Sequence, residues 1–232
     1  MVSLVRHNGV KAPMTFYFEK EALIASGVTE DDRIADYISK LGHLHQQFVR
    51  EMRPTHEPLT KAKALFDWLW IRKPDRYRSH GYYRLNDAID SQLSRESQVV
   101  GNCLGLTLLN NCLLRRTGME AGALYLENAF GISPHVLSIL ETRESMIDIE
   151  NILPDGFDYK GHLNDPSRTR WRDRELVADI YHSQGNEFYE KGDYIKALES
   201  YDRAINMNPL FEKARLNRAV SMDRIGIEKE PR

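Results

Sequence analysis

Apolar positions along this chain recur with two periods, first that of helices and then that of strands. Between residues 30 and 53, Ile34, Tyr37, Ile38, Leu41, Leu44 and Phe48 return at spacings of three and four, the mark of an amphipathic helix. Thr29 with Asp32 resembles a capping box at its start, and Pro54 is its expected stop. A second helix opens at Pro58, carries Ala62, Leu65, Phe66, Leu69 and Trp70 on one stripe, and ends at Lys73-Pro74, so N-terminal helices fill 30–72. Residues 13–18 read as extended, Gly27 ends a short helix over 21–24, and another short helix lies around 88–93. From Cys103 to about Arg116 apolar residues run nearly all round the helix, which makes it a central one. The segments at 120–126, 134–140 and 145–150 then read as strands. One buried helix against at least three sequential antiparallel strands defines an α+β layer.

Composition narrows the classes of function. With 41% hydrophobic residues the 232-residue chain can bury a core, and a net charge of −2 implies no broad basic surface for nucleic acid or anionic lipid. It has no apolar run of membrane-spanning length, and residues 1–7 lack the apolar core of a secretory signal, so the expected localisation is cytoplasmic, with no membrane partner. Cys103 and Cys112 fall on opposite faces of one helix and are expected as free thiols. His43 and His45, two apart on a helix, point away from each other and cannot share one ion. No metal site is expected, and no phosphate-cradling glycine loop or dinucleotide fingerprint implies a cofactor.

The chemistry-bearing residues converge on Cys103. Gly101 lets the chain turn, Asn102 is a good N-cap, and a thiol in the first helical turn faces unpaired N–H groups and the positive end of the helix dipole, which favour the thiolate. His135 stands on the second strand and Asp148 on the third. A hairpin turning at the Glu141–Thr142 bond sets these two opposite each other on one face. Cysteine, histidine and aspartate then form nucleophile, base and orienting group, with Glu150, two residues along the same face, as the reserve carboxylate.

Beyond residues 152–174, rich in Pro, Gly, Asp and Arg and expected to contain a linker over 166–174, a tetratricopeptide pattern starts. Tyr181, Gly185, Phe188, Gly192, Tyr194, Ala197, Tyr201, Ala204 and Pro209 fit one full repeat over 178–211, and a further helix begins at Glu212. In this frame Asp179, His182, Asn186 and Tyr189 face the groove, joined by Lys213, Leu216, Asn217 and Val220. His182, Asn186, Tyr189 and Asn217 are the expected contacts to an extended peptide.

Residues 30–160 resemble the transglutaminase-like, papain-related cysteine fold. The likeness rests on the helix containing Lys61 to Leu69, the Gly101-Asn102-Cys103 helix start, Pro134-His135-Val136 and Ile147-Asp148-Ile149, in that order. It is similar to a short bacterial variety that joins this core to tetratricopeptide repeats. The resemblance implies an α+β transglutaminase-like core over 1–165, with a central nucleophile helix on an antiparallel sheet, followed by an all-α tetratricopeptide segment over 175–232. The expected function is cysteine-dependent acyl transfer or amide hydrolysis through Cys103, His135 and Asp148, with the repeats recruiting a protein or peptide partner. The competing expectation is a non-catalytic scaffold on the same core.

Overall fold

The computed structural model describes residues 17–52, 55, 57–131, 133–142 and 146–226. The start of the extended segment expected at 13–18, residues 1–7, the Pro54 stop and Arg143–Ser145 of the hairpin connection lie outside the described residues. The chain opens with α1 (Phe18–Ala25), closed by Gly27 at φ +93°, then α2 (Asp31–Glu51) and α3 (Pro58–Arg72). No Thr29 capping box forms: Glu30 is the N-cap residue without a side-chain cap, and the Thr29 hydroxyl donates to its carboxylate. At α3 the Glu57 carboxylate accepts from the N–H groups of Leu59 and Thr60 ahead of Pro58, which has no N–H to satisfy. α4 (Leu85–Leu93) leads to α5 (Cys103–Arg116), followed by β1 (Ala121–Ala129), β2 (Ser133–Glu141), β3 (Met146–Ile149) and β4 (Thr169–Trp171). The chain then continues through α6 (Asp173–Glu190), α7 (Tyr194–Met207) and α8 (Glu212–Arg224).

The four strands form one antiparallel sheet in the order β3-β2-β1-β4. β4 comes from the stretch expected as a linker, which corrects that expectation. Trp171 opposes Ala123 and its ring stacks on Tyr125 at 4.1 Å, so one buried aromatic anchors a strand too short and too charged to show a period of its own.

α5 is buried from Leu104 to Leu114, packed between the sheet and the helices before it. Polar side chains set its position against the strands. Asn111 Nδ2 donates to the Gly122 carbonyl (2.8 Å), Thr107 Oγ1 to the Val136 carbonyl (3.3 Å), and Asn110 Nδ2 to Ser138 Oγ (3.1 Å). Asn151 donates to both Thr107 and Ser138. Apolar burial supplies the affinity between helix and sheet, and these bonds fix the axial position of Cys103.

The C-terminal helices are not separate from this core. Leu176, Val177, Ala178, Ile180 and Tyr181 of α6 are buried in the same cluster as α1 and α5, and Arg115 forms an ion pair with Asp173. Tyr83 Oη donates to Glu187 at 2.7 Å, and Arg84 joins them. A boundary at 175 therefore cuts through a helix that belongs to both parts. Within the repeat, a Cβ at Gly185 would meet the Tyr201 ring at 2.4 Å, which is why the small position of the pattern is glycine here. Gly185→Ala is expected to cost about 1–3 kcal/mol through overpacking against Tyr201, which is 1% exposed. Guanidinium unfolding checks this, and an unchanged midpoint would mean that the ring moves aside freely.

Candidate functional site at the head of α5

Asn102 caps α5 as its sequence suggests, its Oδ1 accepting from the Gly105 N–H at 3.0 Å. A Cβ at Gly105 would lie 2.3 Å from the Tyr82 carbonyl oxygen, so glycine lets the segment containing Tyr82, at φ +52°, lie across the helix start. The Tyr82 carbonyl also takes the Asn102 N–H, and Tyr77 bridges to Gly101. Cys103, half-buried, thus heads a helix whose entry is held by the loop that contains Tyr77 and Tyr82.

His135 lines the same cleft as Cys103, and the Cys103 sulfur is one of the groups that act on its pKa. Its Nε2 meets both oxygens of Glu150, at 2.9 and 2.8 Å. Glu150 Oε2 is also 3.1 Å from His162 Nε2. Exposure is 6% for His135, 0% for Glu150 and 4% for His162, so the carboxylate is satisfied inside the protein. Burial pulls the His135 pKa down, but the Cys103 sulfur and the Glu150 carboxylate overcome it and raise it to about 10. Burial likewise pushes Glu150 up, and the hydrogen bonds from His135 and His162 hold it below the usual carboxylate value. Cys112 is buried, and burial drives its thiol well above the ordinary range.

The partner of His135 is therefore Glu150, not Asp148. In the sheet Asp148 opposes Ile139, four residues from His135, because β2 continues to Glu141 paired with Met146 and the chain turns later than the Glu141–Thr142 bond. An offset by an even number of residues leaves the faces unchanged and moves the partner along the strand. Glu150 gains what Asp148 loses. Asp148 is instead paired with Arg168, with Nη1 to Oδ2 at 2.7 Å and Nη2 to Oδ1 at 3.1 Å. Arg168 also donates to the His162 carbonyl at 3.0 Å. Asp148 thus supports the site at a distance, holding the segment that carries His162.

Two further features secure the carboxylate. The Glu150 N–H donates to the Gly156 carbonyl (2.8 Å), and a Cβ on Gly156 would fall 2.0 Å from the Glu150 carbonyl oxygen. Phe130, a non-glycine residue at φ +55°, lies edge-on to both imidazoles, with centroids 5.6 Å from His135 and 4.9 Å from His162. His162 follows Gly161 in a turn-rich stretch with no periodic pattern, and nothing in the sequence around it points to the site. His135, Glu150 and His162 would also satisfy the donor requirement of a metal, their nearest ligand atoms all lying within 4.8 Å of one another, but the mutual hydrogen bonds account for all three.

Cys103 and His135 open into a cleft of about 520 Å³, also lined by Tyr77, Phe130 and, from α6, Asp179, His182, Ser183 and Asn186. A larger cavity, about 680 Å³ beside Glu141 and Arg170–Glu175, contains none of these groups, so chemistry rather than size singles out the cleft. The residues expected at the repeat groove also meet. Asn217 Nδ2 donates to Asn186 Oδ1 (2.8 Å) and lies 3.2 Å from His182 Nε2, while Tyr201 Oη donates to Asn186 Oδ1 (2.8 Å). Tyr189 Oη accepts from Arg224 Nε at 3.1 Å.

Residues 185–226 match the model of the TPR repeat, a type of unit that generally mediates protein–protein interaction. The chain is also similar to an uncharacterized protein of Methanocaldococcus jannaschii, 38% identical over 55 residues, which cover 24% of this chain and 64% of that protein. No solved structure matches. No helix among the described residues is long and apolar enough to cross a membrane.

Proposed function

We propose that the chain is a cysteine-dependent acyltransferase or amidohydrolase on a transglutaminase-like core, with Cys103 as nucleophile, His135 as proton carrier and Glu150 as the group that orients it. The observation that carries this reading is the buried pair of His135 Nε2 and the Glu150 carboxylate on the cleft that Cys103 lines at the head of α5. Glu150 engages Nε2, which leaves Nδ1 to serve the sulfur. The thiolate attacks an amide carbonyl carbon, forming the C–S bond, and the oxyanion sits by the N–H groups of the first helical turn. Imidazolium then gives its proton to the departing nitrogen as the C–N bond breaks, leaving a thioester. His135, now neutral, takes a proton from water or from an incoming amine as that nucleophile displaces the thiolate. Hydrolysis and transfer differ only in this last acceptor.

The test is covalent. A diazoketone analogue of glutamine, followed by mass spectrometry, should label Cys103 and leave Cys112 unlabelled, and His135→Ala should suppress the label. Equal labelling of both thiols, or none at Cys103, would withdraw the nucleophile role. A second reading, a non-catalytic interaction protein on the same core, is favoured by the repeat match at 185–226 and predicts that Cys103 gains no reactivity from His135.

A further inference from the structure

The repeat and the Cys103 cleft share one wall. Asp179, His182, Ser183 and Asn186 stand at helical spacing on the face of α6 that turns into the cleft, and these positions include the groove-facing positions of the repeat's first helix. Asn186 also lines a second cavity, of about 250 Å³, together with Tyr189, Tyr201, Asn217 and Val220. The concave side of the repeat therefore begins at the nucleophile and continues past Asn186 towards α8.

We propose that this shared surface binds the substrate itself: an extended polypeptide that presents an amide to Cys103 while its flanking residues lie along α6 and into the cavity between Asn186 and Asn217. The proposal rests on the amide chemistry above and names what carries the amide. The wall is built mainly from uncharged donors and acceptors, with the Asp179 carboxylate in the first cavity and that of Glu190 in the second. Asn186 Oδ1 is already taken by Tyr201 and Asn217, so its position is set while its Nδ2 remains the group to offer a peptide carbonyl. An asparagine amide pairs with a peptide unit without selecting a side chain, which suits a chain read mainly through its backbone. A small amide would fill only the first cavity and leave Asn217 without a role. The match to a protein-interaction repeat points the same way.

The experiment measures protection of Cys103. The whole chain is alkylated with iodoacetamide in the presence and absence of a pool of randomised, terminally blocked octapeptides, and each protein's own rate without peptide is the reference. The wild type should be protected about fivefold at saturating peptide, and acetylated glutamine amide should protect less than twofold. Asn186→Asp keeps the acceptor that Tyr201 and Asn217 use but removes the amide donor, and Ser183→Leu narrows the cleft beside it. Both should lose most of the protection. Undiminished protection in both variants, or none in the wild type, would overturn the proposal. Protection that depends on Asn186, together with absence of the diazoketone label, would instead keep the peptide site and remove the acyl chemistry.

Discussion

Glu150→Gln should slow acylation of Cys103 by about 10³-fold, whereas Asp148→Asn should leave the rate within about tenfold of the wild type. The amide that replaces Glu150 presents a donor or a weak acceptor to His135 and carries no charge to stabilise the imidazolium. Its loss also leaves His135 and His162 buried without their common partner, so unfolding should become easier by about 3–5 kcal/mol. Because a merely structural role would also destabilise, the deciding readout is the pH profile. The folded His135 pKa is raised to about 10, above its ordinary value of 6.5. A raised pKa means that its contribution to stability is complete below about 6.5 and is lost as pH rises through about 10. Glu150 has the opposite sign: its lowered pKa gives stability above the ordinary carboxylate value of 4.5, lost as pH falls through the folded value. Loss of the His135 proton should therefore change the alkylation rate of Cys103 in the wild type near pH 10. In Glu150→Gln that upper change should move towards neutrality. An unmoved profile, or a large rate loss in Asp148→Asn instead, would return the orienting role to Asp148.

The order of helices and strands was legible because long periodic runs such as Ile34 to Phe48 leave little choice of element, and the cap at Asn102 was legible because its side chain answers a purely local need. Which carboxylate meets His135 was not. Sequence supplied two acids on one face and a histidine on the neighbouring strand, and which acid meets it depends on where the chain turns between β2 and β3. His162 enters through a turn-rich stretch held by Arg168, a tertiary contact without local signature. The strand at 169–171 is recognisable only once Trp171 has a partner in Tyr125. The union of core and repeat did leave a trace. Leu176, Val177 and Ile180 are apolar positions that the repeat pattern does not require, and each is buried in the cluster that includes residues of α1 and α5.

That trace carries the largest expected effect on stability. A chain ended at Asp173 should show no cooperative thermal transition, whereas one ended at Lys191, which keeps all of α6, should retain one at a lower temperature. Leu176, Val177, Ile180 and Tyr181 are buried by at least nine-tenths, and at about 1.5–3 kcal/mol for each apolar side chain their removal costs on the order of 6–12 kcal/mol. That equals the whole stability of an ordinary domain, about 5–15 kcal/mol, before the loss of the Tyr83–Glu187 bond and the uncovering of α1 and α5 are counted. Removing α7 and α8 alone exposes the outer face of α6 and leaves its inner face in place, so the longer truncation separates the repeat as a scaffold element from the repeat as a binding surface. Calorimetry of the two truncations decides the matter. A sharp transition near the wild-type temperature in the chain ended at Asp173 would mean that α6 only rests on a core complete without it, and the shared wall of the Cys103 cleft would then be a docked arm that can move away.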